Sequence, residues 1–281
     1  KGSSMTNPGT INLTPTIENR IAVVTGGFGG IGRECVRALL AHGASVAFTH
    51  VQDREPDAAV AKLVAEAPDR LSAHALDLQS TTSIRQCLAD VNDKWGRIDI
   101  LVNNAAVGSA TVAGFADDTA TQDTAMLTIN ADGTLKMCQA FLELMQDRIG
   151  DFPLKLINLS SVGGGIGIFP GFRLSDGMSK AAVAHLTRQL AAELTDRMID
   201  VFAVCPGATN TAMFQASTLD PLSPGEQEAF TQALPKHRLI EPAEIANIIV
   251  FLASAYSTPL HGAVLDASMG LGVRPGLMTE K

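Results

Sequence analysis

The residues best suited to bind an anion lie in a glycine-rich turn near the start of the chain. The segment reads Thr25-Gly26-Gly27-Phe28-Gly29-Gly30-Ile31-Gly32 and stands between a short apolar run and a stretch with helical periodicity. Glycine lets backbone N–H groups approach an anion closely, and the start of the following helix adds roughly half a positive charge. A turn that follows the first strand and opens the first helix is typical of dinucleotide binding. The sequence therefore predicts a site for dinucleotide phosphates.

The elements that must position this turn alternate along almost the whole chain. Short apolar runs predict strands at Ile21–Thr25, Ser45–Thr49, Leu71–Leu76, Ile98–Asn103, Leu154–Leu159, Val201–Cys205 and Val264–Asp266. Helical periodicity predicts helices at Ile31–His42, Asp57–Glu66, Thr81–Trp95, Thr121–Met145, Ser179–Met198 and Pro242–Ala255. Because strands that alternate with helices pair in parallel through right-handed crossovers, the sequence predicts an α/β fold. We expect a Rossmann-type, doubly wound parallel sheet in a single domain of residues 18–281.

One long stretch, residues 212–238, shows neither periodicity clearly. It contains two helix-compatible pieces interrupted by Pro221, Pro224 and Pro235. In an open α/β sheet the ligand crevice lies outside the carboxyl ends of the strands, and insertions there often cover it. We expect this stretch to form a lid over the substrate.

Composition and charge exclude several classes of function. Hydrophobic residues make up 46% of the 281, which is too many for a disordered chain. The formal net charge of −8, without a basic cluster, disfavours nucleic acid and anionic membrane surfaces as partners. No run approaches the roughly 18 apolar residues that a membrane-spanning helix needs. The sequence therefore favours a small-molecule substrate.

The cysteines and the N-terminus bear on the cellular compartment. Four cysteines are far apart in sequence, which predicts buried thiols in a reducing compartment and neither a metal site nor disulfides: Cys35, Cys87, Cys138 and Cys205. Residues 1–17 begin with KGSSM, interpreted as a vector remnant, and continue as a polar tail without a signal-peptide core. We expect a soluble cytoplasmic protein.

The order of the motifs resembles that of the short-chain dehydrogenase/reductase family, from the glycine turn to about residue 270. The matching segments are TGxxxGIG at Thr25–Gly32, an acidic residue at Asp77, NNAG written as Asn103-Asn104-Ala105-Ala106, a helix asparagine at Asn130, a strand ending in Ser161, a helix lysine at Lys180, and PGxxxT at Pro206, Gly207 and Thr211. The resemblance implies an oxidoreductase with a nicotinamide cofactor bound by Thr25, Gly26, Phe28, Gly30, Ile31, Gly32, His50, Asp77, Leu78, Asn104, Ala105, Lys180, Pro206, Gly207, Thr209 and Thr211.

One position departs from the family pattern. Such enzymes use a tyrosine, four residues before the lysine, to exchange a proton with the substrate oxygen. Here that position is Asp176, and the only tyrosine of the chain, Tyr256, lies in a later helix. The resemblance otherwise implies that Ser161 orients the substrate, that Lys180 holds the nicotinamide ribose, and that Asn130 supports a water molecule. The candidate catalytic residues are therefore Asn130, Ser161, Asp176 and Lys180.

Aspartate is chemically suited to a different substrate. Its side chain is shorter than that of tyrosine, and its unperturbed pKa is about 3.9, against about 10 for the phenol. A carboxylate at neutral pH would repel a developing alkoxide, whereas it would hold and polarise an iminium or protonated imine. The sequence predicts hydride transfer to a C=N carbon, or to a carbonyl activated without tyrosine, in a partly apolar molecule. We expect the apolar walls to come from Ile166, Ile168, Phe169, Met213, Phe214 and Leu219.

Several alternatives remain open from the sequence. Asp176 could be a helix-start carboxylate paired with Lys180 one turn later, or an engineered replacement of tyrosine. Ser160 could take the place of Ser161 if the register slips by one residue. The chain could also be a nucleotide-binding pseudoenzyme, or a non-redox or bifunctional isomerase or cyclase. Two further polar residues receive structural interpretations, a solvated loop for Arg173 and an interface for His185.

The remaining expectations concern the choice between NADP and NAD and the oligomeric state. The 2′-position of the adenosine ribose is usually recognised at the end of the second strand, which is His50 here. No carboxylate stands at that position, and Thr49, His50, Gln52 and Arg54 could all donate to a phosphate. NADP is therefore favoured over NAD, although the carboxylate of Asp53 lies nearby in the sequence. The resemblance also implies pairing of the two long helices in a homodimer or homotetramer.

Overall fold

The described residues of the computed structural model, 17–52, 55, 57–146 and 152–274, form one parallel sheet with helices on both faces. Its strand order is β3-β2-β1-β4-β5-β6-β7, and each neighbouring pair is parallel. The strands are β1 (Ile21–Val24), β2 (Ser45–His50), β3 (Leu71–Ala75), β4 (Ile100–Asn103), β5 (Leu154–Leu159), β6 (Ile199–Pro206) and β7 (Val264–Ala267). The predicted Rossmann-type, doubly wound α/β fold is confirmed.

The helices fill the connections between these strands. Those before β5 are α1 (Gly30–Ala41), α2 (Asp57–Val64), α3 (Thr81–Trp95), α4 (Ser109–Ala113), α5 (Thr119–Leu127) and α6 (Gly133–Leu144). Those after β5 are α7 (Val162–Gly165), α8 (Leu174–Glu193), α9 (Ala212–Phe214), α10 (Pro224–Ala233) and α11 (Pro242–Ala253). Within this part of the chain, no helix is both long and apolar enough to cross a membrane.

Two predicted helices have different bounds in the structure. The helix expected over Thr121–Met145 is interrupted by a π-helical turn at Thr128–Asp132, between α5 and α6. The helix expected to begin at Ser179 begins five residues earlier, so that Asp176 lies in its first turn. Its start is hard to predict because Arg173, at the N-cap, makes no capping hydrogen bond and Gly177 is a poor helix former.

The core is divided between the two faces of the sheet. Neighbouring residues of β1 point to opposite faces, as the alternation of side chains in a strand requires. Val24 belongs to the cluster that packs with α1 and α11, and Val23 to the cluster that packs with α3, α6 and α8. Ile17, expected in the polar tail, is buried in the first cluster because its side chain is apolar. The remaining residues of the predicted tail lie outside the described ranges.

The four cysteines are free and buried, as predicted. Burial raises the pKa of Cys35, Cys87 and Cys138 to about 12, so these thiols are protonated and unreactive at neutral pH. Cys205 differs in its position, because it lies at the end of β6 close to Ser160. There burial raises the pKa of the Cys205 thiol, and a hydrogen bond with Ser160 and, more weakly, the charge of Lys180 oppose the rise.

The stretch between β6 and α11 folds into helical pieces, as its proline spacing predicts. α9 and α10 are separated by a π-helical turn at Gln215–Leu219, and a 3₁₀ turn follows at Pro235–His237. Met213 reaches the loop after β4, where a Cβ on Gly108 would lie 3.0 Å from its Cγ. The stretch is therefore packed against a loop at the carboxyl edge of the sheet.

Candidate active site

The glycine turn joins the end of β1 to the start of α1. Gly26 and Gly30 have φ values of +64° and +54°, a region that side chains rarely adopt. A Cβ on Gly32 would lie 2.3 Å from the Gly26 carbonyl oxygen, so the turn closes only around glycine. Gly29, the N-cap residue, places no side chain over the first N–H groups of α1 and has no atom within 4 Å of its own ideal Cβ position. This open cradle at a helix N-terminus fits the pyrophosphate of a dinucleotide.

Hydrogen bonds tie the end of β1 to the end of β4. The Thr25 hydroxyl oxygen accepts from the backbone N–H groups of Asn104 (3.0 Å) and Ala105 (2.9 Å). The Asn104 side-chain amide donates in return to the carbonyl oxygens of Thr25 (2.9 Å) and Gly26 (3.2 Å). Four of the predicted cofactor residues are thereby held together at the point where the direction of strand order reverses.

The remaining side chains of the glycine turn play a packing role. Phe28 and Ile31 are partly buried against the core cluster that contains Val24.

Two further predicted cofactor residues follow β3. Leu78 is buried, and its Cβ would lie 2.8 Å from a Cβ placed on Gly133. Asp77 is exposed and accepts a hydrogen bond from the Gln79 N–H at 2.9 Å. The structure thus leaves the Asp77 carboxylate near the carboxyl edge of the sheet.

The end of β2 contains a carboxylate that the sequence reasoning missed. His50 Nδ1 lies 4.0 Å from Oε2 of Glu55, and both of these buried atoms lack a hydrogen-bond partner. Arg33 Nε, in the first turn of α1, is a third buried polar atom without a partner. Asp53 and Arg54, named from the sequence, lie outside the described residues. Glu55 was overlooked because it follows the strand by five residues, and no sequence pattern predicts that it lies near His50.

The PGxxxT segment reaches back to the glycine turn. Thr211 caps α9 by accepting from the Phe214 N–H at 3.1 Å, and its Cγ2 would lie 3.3 Å from a Cβ on Gly30. Thr209 is buried and donates to the Gly207 carbonyl at 2.9 Å. Pro206 ends β6 beside them. Thr211 therefore lies against the start of α1, beside the phosphate cradle.

Asn130 lies in the π-helical turn between α5 and α6 and is buried. Its Oδ1 accepts from the Val107 N–H at 2.8 Å, and its Nδ2 donates to the Val107 carbonyl at 3.0 Å and to the Ser179 Oγ at 3.4 Å. Thr134 donates to the Asn130 carbonyl at 2.7 Å. The π turn projects Asn130 out of regular helical register, so that one side chain links the loop after β4 to α8.

The two serines at the end of β5 have different partners. Ser161 is partly exposed and caps the short α7, where its oxygen accepts from the Gly163 N–H at 3.2 Å. Ser160 is buried and donates to the Lys180 backbone carbonyl at 2.8 Å. The hydroxyl of Ser160 is therefore engaged in joining β5 to α8, while that of Ser161 faces the less buried side.

Asp176 and Lys180 lie one turn apart near the start of α8, yet no ion pair within 4.0 Å joins these two described residues. Burial raises the pKa of Asp176, although the positive charges of Lys180 and then Arg173 oppose the rise. Burial likewise lowers the pKa of Lys180, against the influence of Asp176 and Cys205. The site thus holds a carboxyl group and an amino group that are both partly desolvated.

Arg173 is not the solvated loop residue that the sequence suggested. Its guanidinium binds Asp123 and Gln122 of α5, and its side chain is only 21% exposed. The sequence concealed this contact because 50 residues separate the partners.

Apolar side chains surround the N-terminal end of α8. Phe172 packs against the loop after Ser161 and against α8, since Cβ atoms on Gly163 and Gly177 would lie 3.1 Å and 3.5 Å from its ring. Three nearby side chains are exposed: Ile168, Leu174 and Met178. Of the expected wall residues, Leu219 is buried and the Phe214 ring lies 6.1 Å from that of Phe230. Phe172, Leu174 and Met178 were not singled out by the sequence.

The sheet and the glycine cradle define the class of Rossmann-type dinucleotide-binding proteins. Comparison with known families is more specific: residues 26–272 match the family model described as enoyl-(acyl carrier protein) reductase. The chain belongs to the short-chain dehydrogenase/reductase family, as the order of its motifs predicted. It is an oxidoreductase of the type that uses a nicotinamide cofactor.

Relatives and solved structures agree with this assignment. A 3alpha-hydroxysteroid dehydrogenase of Mediterraneibacter gnavus is 30% identical, covering 89% of this chain and 96% of the relative. The 3-oxoacyl-(acyl-carrier-protein) reductase FabG of Vibrio harveyi is 31% identical, with 91% and 98% covered. The active-site complex of Pseudomonas aeruginosa RhlG with NADP superposes with a TM-score of 0.80 at 28% identity, with 92% and 98% covered.

Proposed function

We propose that this chain reduces a C=N bond, as an imine or iminium ion, with hydride from a nicotinamide cofactor. The observation that carries the proposal is the partly desolvated carboxylate of Asp176 at the position of the family's tyrosine. A negative group there stabilises a cation and destabilises an alkoxide, because electrostatic interactions are stronger away from bulk water. The proposal therefore selects substrates by charge.

Each residue of the site has a separate role in this reaction. The bound cofactor supplies a hydride, that is, a proton with two electrons. The glycine turn and Thr211 hold its phosphates, and Lys180 holds the ribose. Asp176 pairs with the positive nitrogen of the substrate, and hydride addition to the adjacent carbon moves the C=N electron pair onto that nitrogen. The product is a neutral amine, so an iminium needs no proton donor during the step, and a neutral imine takes its proton from solvent beforehand.

The apolar surroundings support a hydrophobic substituent on the substrate. Phe172 lies between the loop that follows Ser161 and the helical turn that carries Asp176. Phe172 is 38% exposed, so part of its ring is open to a ligand. An organic cation bound here would keep its charge near the carboxylate while it buries apolar surface. Burial of that surface contributes about 25 cal/mol per Å².

We further propose NADPH as the preferred cofactor. His50 at the end of β2 and Arg33 at the start of α1 have buried ring and guanidinium nitrogens without partners, and both types of group bind a 2′-phosphate well. The negative charge of Glu55 would repel a 2′-phosphate, so this carboxylate works against the preference for NADPH.

A homodimer or homotetramer through α5, α6 and α8 is also a proposal. It is supported by the exposed small side chains Ala181 and Ala182 on α8.

The test compares a cyclic imine, its N-methyl iminium ion and the matching cyclic ketone, with NADPH consumption as the readout. We expect turnover of both nitrogen compounds and little of the ketone. Asp176→Asn should lower kcat/KM for the iminium on the order of 100-fold, with the NADPH Kd changed less than about threefold. Asp176→Tyr, the matched control, should shift preference toward the ketone.

Three outcomes would contradict the proposal. Faster reduction of the ketone than of the iminium by the unaltered protein would remove the charge argument. NADPH binding in calorimetry without turnover of any of the three compounds would favour the pseudoenzyme. Product formation that persists with the oxidised cofactor would favour a non-redox reaction.

A further inference from the structure

Arg173 occupies a position that helix energetics disfavour. It is the N-cap residue of α8, yet its side chain makes no capping hydrogen bond. The N-terminus of a helix carries a partial positive charge, which repels a guanidinium and favours a carboxylate. A residue that violates a local preference without disrupting the fold must gain from other contacts, and such residues concentrate at functional sites.

The compensating contacts come from α5. Arg173 Nε donates to Asp123 Oδ1 at 2.7 Å, and Nη1 and Nη2 each donate to Gln122 Oε1 at 3.2 Å. Ser175 Oγ donates to the same Asp123 oxygen at 2.6 Å. These bonds connect one turn of α5 to the first turn of α8 by four hydrogen bonds. The two charged side chains are only 21% and 37% exposed, so solvent screens them incompletely.

The same turn of α8 carries Asp176. The Arg173 carbonyl accepts from the Gly177 N–H at 3.0 Å, and the Asp176 carbonyl accepts from Ser179 Oγ at 2.8 Å. The charges that act on Asp176 are those of Lys180 and then Arg173. Asp123 on α5 pairs with Arg173 at 2.7 Å. Cys205, from β6, faces Lys180. The position and the ionisation of Asp176 therefore both depend on how Arg173 is held.

We propose that Arg173 is a positioning residue, which Asp123 and Gln122 hold so that it fixes the first turn of α8 and places a positive charge beside Asp176. This inference rests on the proposed function, in which the ionised Asp176 binds the substrate cation. Asp123 has a second effect, because its negative charge partly cancels the field of Arg173 at Asp176. The pair thus sets the pH at which the site becomes competent.

Two variants that break the same ion pair are expected to act in opposite directions. Arg173→Gln removes the positive charge and keeps hydrogen-bonding capacity, so the pKa of Asp176 rises. Asp123→Asn removes the cancelling negative charge, so the pKa of Asp176 falls. A purely structural role for the pair would make both variants change the site in the same way. Arg173→Lys keeps the charge and should restore the pH dependence while losing part of the rate.

The first measurement is the pH profile of kcat/KM for the N-methyl iminium ion. Because the substrate keeps its charge at every pH, the acid limb reports Asp176, and activity falls as the pH falls through its pKa. We expect Arg173→Gln to move this limb up by about one pH unit and Asp123→Asn to move it down. Limbs that stay fixed, or that move in the same direction, would overturn the inference.

A second measurement does not depend on turnover. The pKa of Asp176 is raised in the folded state, so the stability that its protonation contributes is present at low pH and is lost as the pH rises through that pKa. The difference in unfolding free energy between each protein and its Asp176→Asn counterpart, followed by urea unfolding across pH, locates this loss. Arg173→Gln should move it to higher pH and Asp123→Asn to lower pH, even if no imine is reduced. An unchanged transition in both variants would overturn the inference while leaving the proposed function open.

Discussion

The carboxylate of Asp176 shows how one residue changes the electrostatics of a shared framework. The structure places it on α8 one turn before Lys180, as the sequence register implies, but without the direct ion pair that the structural alternative required. Burial raises the pKa of Asp176 and two cations oppose the rise. The sequence could identify the substitution, whereas the balance between burial and pairing depends on residues that are distant in the chain.

Cofactor choice is also a matter of individual residues. Glu55 Oε2 lies 4.0 Å from His50 Nδ1, at the end of the strand where the adenosine ribose is recognised. Glu55→Gln should remove charge repulsion toward a 2′-phosphate and raise the ratio of kcat/KM for NADPH over NADH about tenfold, equivalent to about 1.4 kcal/mol. Steady-state kinetics with both cofactors measure the ratio.

The matched control for this prediction is Glu66→Gln. It removes the same charge from a half-exposed residue after α2, which pairs with Arg37 at 3.7 Å. The ratio should remain unchanged in this variant. A clear preference of the unaltered protein for NADH would contradict the NADPH proposal, and an unchanged ratio in Glu55→Gln would show that this carboxylate does not oppose the phosphate.

Among the elements, the turns position the site more than the regular helices do. The π-helical turn at Thr128–Asp132 projects Asn130 toward Val107 and Ser179, and the glycine turn exposes the start of α1. The spacing of glycines predicts the second of these turns, because only glycine adopts its backbone. No comparable pattern marks the π turn, since Thr128-Ile129-Asn130-Ala131-Asp132 is also compatible with a regular α-helix.

The glycine turn allows fold and binding to be tested separately. A Cβ at Gly32 would lie 2.3 Å from the Gly26 carbonyl oxygen, so Gly32→Ala should destabilise the protein by about 1–3 kcal/mol and abolish cofactor binding. Gly29 has φ −140° and open space around it, so Gly29→Ala should leave the Tm of the free protein unchanged and weaken NADPH binding at least about tenfold. Thermal unfolding and calorimetry measure the two effects.

Gly225→Ala on α10 serves as the control, because its Cβ also enters open space but far along the chain from the glycine turn. It should change neither the Tm nor the Kd for NADPH appreciably. Binding of NADPH to Gly32→Ala with unaltered affinity would contradict the assignment of this turn to the phosphates.

In the molecule as a whole, the candidate active site lies at the carboxyl ends of the strands, and a buried ion pair lies at their amino ends. Lys155, near the start of β5, donates to Asp200 of β6 at 2.6 Å and to Ser257 at 3.1 Å. Burial lowers the pKa of Lys155, while Asp200 opposes the change. Thr258 also donates to Asp200 at 2.7 Å, so the pair joins two central strands to the segment before β7.

Lys155→Met should reduce the free energy of unfolding by about 3–5 kcal/mol, because it removes the ammonium 2.6 Å from the buried Asp200 carboxylate and leaves only His261 Nδ1, at 3.7 Å, as a basic group beside it. Cofactor affinity should change little, since the pair lies at the amino ends of the strands. Urea unfolding and NADPH calorimetry check the two parts. Replacing both partners, as in Lys155→Met with Asp200→Leu, should recover much of the loss.

An exposed ion pair provides the comparison. Arg85 and Glu143 lie 3.1 Å apart with both side chains 63% exposed, so Arg85→Ala should cost no more than about 1 kcal/mol. Equal losses from Lys155→Met and Arg85→Ala would show that burial does not set the contribution of the Lys155–Asp200 pair.

The features of this protein that depend on local rules could be predicted from the order of its residues alone. Alternation of apolar runs with helical periods gave all seven strands and their parallel arrangement, and the glycine spacing placed the phosphate cradle. These features are predictable because they arise from side-chain periodicity and backbone conformation within a few residues. The departure at Asp176 was visible in the same way, as a change of residue type in a known register.

Contacts between residues that are distant in the sequence became visible only once the chain was seen folded. Arg173 meets Asp123 50 residues away, and Glu55 returns to His50 through a loop whose path no periodicity encodes. Such pairings follow from the packing of elements against a shared sheet, and burial then amplifies their electrostatic effects by excluding water. Residue types therefore specified which charges are present, and packing specified which of them act on one another.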